Sequence, residues 1–266
     1  MTALTERSAR VVAAVKLQRH TGRRRAGRFL AEGPNLVQAA ARRGLVDEVF
    51  ATEAAAERHA DLLAGLAVQP VTERAAKALS ETVTPSGLVA VCTLPETGLD
   101  DVLSGSPALI AVAVDLSEPG NAGTLIRLAD AMGAAAVVFA GHSVDPYNGK
   151  CLRSSAGSIF DVPVVVDEDT PAVFARLKSA GLQVLATTLD GDVDLDDAEQ
   201  MLRAPTAWVF GPEAHGLSPE LAALAEHRVS ITMAGGAESL NVAAAAAICL
   251  YQSARAQRRA GSGEPG

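Results

Sequence analysis

Three loops of one kind carry the residues whose types and spacing can do chemistry. DLSEPGNAGTLIR (115–127) holds Asn121 and Arg127. GPEAHGLS (211–218) holds Gly211 and Glu213, and ITMAGGAESLNV (231–242) holds Ser239 and Asn241. Each loop follows a short apolar run: ALIAVAV (108–114), AWVF (207–210) and VSITM (229–233). Such runs read as buried strands, and in open α/β sheets the loops at strand carboxyl ends form the ligand crevice. Glycine-rich backbone lets a ligand approach closely without side-chain hindrance. Two amides, a guanidinium, a carboxylate and a hydroxyl make a polar set able to hydrogen-bond and to hold an anionic group. One glycine-rich loop is ordinarily only a strand-to-helix turn; three on one sheet make a site.

Each residue also has a plain structural reading. Asn121 fits a helix N-cap, and Arg127 fits a surface arginine on a salt bridge. Six residues of helix separate them by about 600°, so their azimuths differ by about 120° and a shared site must lie near the helix start. Ser239 and Asn241 precede an Ala-rich run, so either fits as its cap. Ile231, Met233 and Leu240 fit plain core packing.

The stretches DLSEPGNAGTLIRLADAMGA, VFGPEAHGLS and ITMAGGAESLNVAAAAAI resemble, in order, spacing and residue type, three motifs of the SpoU/TrmH family of RNA 2′-O-ribose methyltransferases. The resemblance covers roughly residues 108–257, and a weaker likeness to the family's N-terminal RNA-binding domain precedes residue 95. It implies an α/β fold: a trefoil-knotted, SPOUT-type parallel-sheet methyltransferase domain over 107–260, a linker over 96–106 and a small α/β RNA substrate-binding domain over 1–95. Elementary topology does not suggest a knot, since true knots are nearly absent from folds.

The resemblance also implies a donor and a site. S-adenosylmethionine would be held by Gly211, Ile231, Met233 and Leu240, with Thr188 and Leu189 along the adenine edge. Asn121, Arg127, Glu213, Ser239 and Asn241 would form the catalytic set. In the family the matching arginine is proposed to activate the ribose hydroxyl, yet a guanidinium with a pKa above 12 is a poor base. Arg127 either removes the proton or binds the adjacent phosphate and lets that take it. Thr232 stands where the family usually has proline. Members pair through the knotted domain, so a homodimer is expected. Large-subunit ribosomal RNA is the expected substrate, with transfer RNA the alternative.

Composition sets bounds on this reading. The 266 residues are 48% hydrophobic and 20% charged, which is globular. Aromatics are 3%, so base stacking is not the main mode of any nucleic-acid contact. A net charge of −8 argues against RNA, but the charge is unevenly spread. Arg7, Arg10, Lys16, Arg19, Arg23, Arg24, Arg25 and Arg28 crowd the first 28 residues, where Glu6 is the only acid. That cluster reads as a phosphate-contacting arm or as a solvated basic tail. Lys150 and Arg153 are further phosphate candidates. Cys92, Cys151 and Cys249 are odd in number and lack metal-ligand spacing, which suits a reducing cytoplasm and no metal site. No apolar run reaches the roughly 18 residues of a membrane span, and the first residues lack the apolar core of a signal peptide.

The elements must position these loops. Residues 1–20 read as an amphipathic helix on Val11, Val12, Val15 and Leu17, broken by RRRAG (23–27). Short strands and helices alternate to GLVAVCTL (87–94), and PETGLDDVLSGS (95–106) reads as the linker. Near-continuous apolar strands then indicate a parallel sheet covered on both faces. DGDVDLDDAE (190–199) reads as a solvated connection, GSGEPG (261–266) as a flexible tail, and 241–257 as the closing helix.

Two rival classes fit less well. A nicotinamide dehydrogenase wants G-x-G-x-x-G after its first strand, and EPGNAGTLIR lacks the third glycine. A non-catalytic RNA-binding protein would not need all three loops.

Overall fold

The computed structural model describes residues 3–212 and 214–262. They form two compact units. One comprises the chain through Glu96 together with Tyr147–Phe160, and the other Thr97–Pro146 with the chain from Asp161 onward.

The first unit opens with α1 (Ala9–Val15), a single 3-10 turn (Lys16–Gln18) and α2 (His20–Ala26). The break therefore falls at Arg19, which is extended, and RRR lies inside α2. Gly27 ends that helix at φ 59°, a left-handed conformation that glycine adopts without steric cost. These helices are no free arm. Val11, Ala14 and Leu17 are buried with Phe50, Val71, Leu79, Val89 and Val91.

Then follow β1 (Arg28–Glu32), α3 (Pro34–Arg42), β2 (Val46–Ala51), α4 (Glu53–Arg58), α5 (Ala60–Leu63), β3 (Val68–Pro70), α6 (Glu73–Leu79) and β4 (Leu88–Thr93). Thr52 and Thr72 cap α4 and α6, each accepting a main-chain N–H three residues on. The sheet order is β1-β4-β2-β3, antiparallel at both β4 pairings and parallel between β2 and β3.

The second unit begins inside the expected linker. Residues 96–106 include α7 (Leu99–Leu103), whose Leu99 is buried among Ile110, Val112 and Val138. With Val102 and Leu103 packed against the same core, Leu99 anchors a segment whose composition is otherwise that of a loop. Next come β5 (Leu109–Val114), α8 (Pro119–Met132) and β6 (Ala136–Ala140). The chain then visits the first unit through α9 (Gly149–Ser155), where Asn148 accepts from the Cys151 N–H. Phe29 receives Tyr147 and Phe160 there, ring centroids 5.0 and 6.1 Å away. The span 107–260 is therefore not one continuous unit.

The remaining elements are β7 (Val164–Asp167), α10 (Thr170–Ser179), β8 (Gln183–Thr187), β9 (Val193–Asp194), β10 (Thr206–Phe210), α11 (Pro219–Ala222), β11 (His227–Ser230) and α12 (Val242–Ser262). Seven strands lie in the order β7-β6-β5-β10-β8-β11-β9, every pairing parallel. All six residues of β5 and all five of β6 and of β10 are buried, as a sheet covered on both faces requires. Trp208 Nε1 donates to Ser253 Oγ at 2.8 Å, so α12 is tied to β10 by a bond that satisfies a buried indole. The strand expected at 229–233 stops at Ser230, leaving Ile231 and Met233 in the following loop.

Candidate active site

The site is assembled at the carboxyl ends of β5, β8, β10 and β11, all in the second unit. Asp115 leaves β5 at φ 50°, and its Oδ1 accepts the His142 N–H at 2.7 Å. Gly141, at φ 64°, lies against it, where a Cβ would come within 2.4 Å of that oxygen. Leu116 N–H donates to Ser143 Oγ at 3.1 Å, and Val144 N–H to the Leu116 carbonyl at 2.7 Å. The loops after β5 and β6 thus brace each other and fix where α8 begins. Sequence reading missed Asp115, Gly141 and Ser143 in this role; a polar residue at each of two adjacent strand ends was the available signal.

Asn121 does not cap α8. Glu118 does, accepting from the Gly120 N–H at 3.0 Å, and Pro119 fills the first position, where no N–H is needed. Asn121 is set inside the first turn, where its side chain serves another purpose. Asn241 caps α12, accepting from the Ala243 N–H at 2.9 Å on Oδ1 and from the Ala245 N–H at 3.0 Å on its carbonyl. Nδ2 of Asn241 then donates to Oδ1 of Asn121 at 3.2 Å. Two helix N-termini meet at this bond, and both favour negative charge nearby.

Arg127 lies on α8, exposed, and its side chain makes no ion pair or hydrogen bond among the described residues. The salt-bridge alternative is therefore removed. Helical Cα–Cβ bonds tilt toward the N-terminus, so the guanidinium leans toward the Asn121 end. Ser239 is exposed and leaves the cap to Asn241. Glu213 lies outside the described residues.

The remaining candidates lie on three strand ends. Gly211 follows β10, where a Cβ would fall 2.4 Å from the Leu217 N and 2.6 Å from the Gly216 carbon. No other residue at 211 lets Gly216 and Leu217 come so close. Thr188 follows β8 and donates its N–H to the Val229 carbonyl at 3.0 Å, while its Oγ1 is buried with no hydrogen-bond partner among the described residues. A buried hydroxyl without a protein partner is costly, and water or a ligand has to supply one. Leu189 and Leu240 expose 72% and 38% of their surfaces, far more than core leucines do. Ile231 and Met233 are half-buried.

The basic candidates of the first unit divide. Arg19, Arg24 and Arg25 are exposed. Arg23 corrects the phosphate-contact expectation: it is 4% exposed, and its Nη1 donates to the Leu17 and Gln18 carbonyls at 2.9 Å each. It joins the 3-10 turn to α2. Arg28 pairs with Asp47 at 2.9 Å. Arg153 lies 3.9 Å from Glu32 and lines a pocket that also holds Glu81, an acidic setting that disfavours phosphate. Lys150 stands on α9 beside it.

All three cysteines are free and buried. Burial, helped by the charge of Asp47, pushes the Cys92 thiol up to about 12, and burial raises Cys249 as well. Neither Cys92 nor Cys249 is set up as a thiolate nucleophile. Among the described residues no group of three or more His, Cys, Asp and Glu can hold a metal, and no helix is long and apolar enough to cross a membrane.

Comparison with known proteins decides the family. Residues 108–251 match the model of the SpoU rRNA Methylase family, and residues 8–90 that of the MRM3-like substrate binding domain. The chain belongs to the SpoU rRNA methylase family. This SpoU chain is 35% identical over 237 residues to the 23S rRNA (guanosine(2553)-2'-O)-methyltransferase RlmP of Bacillus subtilis, covering 89% of this chain and 92% of that one. It is also similar to the SpoU methyltransferase AviRb from Streptomyces viridochromogenes, solved in complex with AdoMet. The TM-score is 0.83 at 32% identity, covering 95% of this chain and 98% of that one. An AdoMet-bound rRNA methyltransferase from Sinorhizobium meliloti superposes with a TM-score of 0.83 at 28% identity, over 96% and 97% of the two chains.

Proposed function

We propose that this SpoU-family chain methylates the ribose 2′-oxygen of a nucleotide in large-subunit ribosomal RNA, using S-adenosylmethionine. The observation that carries the reading is the buried Thr188 Oγ1, without a partner among the described residues, beside exposed Leu189, just after the strand that pairs with the one preceding Gly211. An adenosine moiety fits those residues: the hydroxyl gains a partner, the leucines cover an apolar ring, and Gly211 leaves room for close approach. Relatives of this chain with rRNA 2'-O-methyltransferase names support the acceptor.

Bound at these loops, S-adenosylmethionine supplies a methyl group on a positively charged sulfonium. The chain has to hold the 2′-hydroxyl in line with that group and dispose of one proton. Asn121, oriented by Asn241, presents its amide at the first turn of α8 to position the ribose. Arg127 binds the phosphate next to the ribose or takes the hydroxyl proton directly. The first alternative asks less of a guanidinium, because the phosphate then accepts the proton. Glu213, Ser239, Ile231, Met233 and Leu240 complete the set. Transfer of that methyl group would leave the sulfonium's electron pair on sulfur, and the chain's part is to let the hydroxyl proton pass to the phosphate held by Arg127 or to Arg127 itself.

The wider reading has further parts. The first unit binds RNA through Arg19, Arg24, Arg25 and Arg28, with Lys150 at its α9 edge and Arg153 left to Glu32. The segment from β11 through α12 threads as a trefoil knot. Two copies pair through the second unit, where α12 exposes Ile248 and Tyr251, and the enzyme works in the cytoplasm. The test is label transfer. RNA from cells lacking the gene, incubated with the protein and methyl-labelled donor, should take label into large-subunit rRNA; label confined to transfer RNA, or none in any RNA, contradicts the reading.

A further inference from the structure

DGDVDLDDAE reads in the sequence as a solvated connection, yet in the fold it is a splint. β9 lies parallel to β11, with Val193 opposite Val229 and Asp194 opposite Ser230. Arg228 grips the strap: its Nε and Nη2 donate to the two Asp192 oxygens at 3.0 and 2.5 Å, and its Nη1 reaches Asp190 at 3.4 Å. Gly191 permits this approach, since a Cβ there would meet the Ser230 N at 2.3 Å. Thr232 Oγ1 donates to Asp194 Oδ2, and Asp194 Oδ1 accepts the Asp196 N–H at 2.9 Å, so the carboxylate is held at both oxygens.

The placement of the Thr232 bond matters. β11 ends at Ser230, and among the described residues none from Met233 to Leu240 makes a hydrogen bond; the next attachment is Asn241. The loop is therefore fastened at two points, Thr232 and Asn241. We propose that Asp194 and Thr232 are positioning residues that set the loop 231–240 for the methyl donor, so that donor affinity depends on a side-chain pair outside the pocket. This rests on the reading that the loop holds S-adenosylmethionine. A loop tethered at one end samples more conformations, and binding must then supply the ordering.

The experiment is calorimetric titration of the full chain with S-adenosylmethionine. Thr232→Val keeps shape and removes the donor; Thr232→Ser keeps the donor; Asp194→Ala removes the acceptor. Thr232 is exposed, so folding is expected to survive each change, and circular dichroism melts verify it. Thr232→Val and Asp194→Ala should each weaken donor binding about fivefold, the worth of one such hydrogen bond. The double variant should lose no more than either alone, and Thr232→Ser should restore binding. In turnover the loss should fall on KM for the donor and not on kcat. Equal binding by Thr232→Val and wild type, additive losses, or a loss confined to kcat overturns the proposal while leaving the functional reading intact. Failure of the wild type itself to bind the donor overturns both.

Discussion

Asn241 Nδ2 donates to Asn121 Oδ1 at 3.2 Å and joins the first turns of two helices whose residues lie 120 apart in sequence. The same Asn241 spends Oδ1 on the Ala243 N–H, so one side chain both caps α12 and fixes the amide orientation at the start of α8. Cap and clasp can be separated. Asn241→Asp keeps an acceptor for the cap but turns an oxygen toward an oxygen at Asn121. Its melting temperature should stay near wild type while turnover falls. Asn241→Ala loses both functions and should cost about 1 kcal/mol in a urea titration as well. Equal turnover in Asn241→Asp and wild type would show that the clasp is only architectural.

Arg127→Ala should lose turnover by roughly 10²–10⁴-fold, the usual worth of a group acting on a transferred proton. Stability should move by no more than about 0.5 kcal/mol, because the side chain is exposed and without a partner among the described residues. Donor binding by calorimetry should be unchanged. A near wild-type methylation rate removes Arg127 from the mechanism.

The basic N-terminal segment has two kinds of arginine. Deleting residues 1–28 would strip Val11, Ala14 and Leu17 from the first unit's core, so truncation measures folding and not RNA affinity. Replacing Arg19, Arg24 and Arg25 singly by alanine should instead lower the slope of log affinity against log salt by about 0.7–0.9 for each phosphate that is no longer neutralised. Arg23→Ala should leave that slope alone and destabilise the unit by about 1–3 kcal/mol, since two carbonyls lose their donor. Filter binding across a salt series and thermal melts read the two effects separately.

The splint has a pH signature. Asp194 is held below the usual carboxylate range by the Thr232 hydroxyl and then the Asp196 N–H, and Asp192 chiefly by its hydrogen bond from Arg228. A carboxyl lowered in the folded state stabilises it fully above the unfolded pKa and loses that contribution as pH falls through the folded value. Asp192 is exposed and Asp194 only half-buried, so the effect is small and screened by salt. Between pH 7 and pH values below about 4, the urea midpoint of the wild type should fall more than that of Thr232→Val. Parallel acid limbs would mean that the Asp194 contact carries no stability.

Much of the second unit was legible in the sequence because its strands are unbroken apolar runs and its loops end in glycine. What was hidden depended on which of several fitting partners each residue takes, near or far in the chain. Glu118 outcompetes Asn121 for the α8 cap because Pro119 occupies the first position, a local contest that spacing alone leaves open. Leu99 makes a helix of a stretch with loop composition by finding a core to enter. α9 groups with the first unit through Phe29 and Phe160, and no boundary residue announces it. Arg23 looks like its neighbours in RRR, but only its place in α2 faces the Leu17 and Gln18 carbonyls. Among the site residues, Gly211 was legible by type; the orphaned hydroxyl of Thr188 was visible only once burial was known.

The central claim concerns which atom receives the methyl group. Methylation at a pyrimidine carbon generally needs an accessible thiolate, and Cys92, Cys151 and Cys249 are all buried, with Cys92 and Cys249 raised further from ionisation. A methyl on the 2′-oxygen blocks the internal attack that cleaves RNA in alkali. The direct measurement is alkaline hydrolysis of RNA labelled by the protein from methyl-labelled S-adenosylmethionine, followed by separation of the products by length. The account predicts that the label survives in an uncut dinucleotide; recovery of the label as a methylated base in mononucleotides contradicts it.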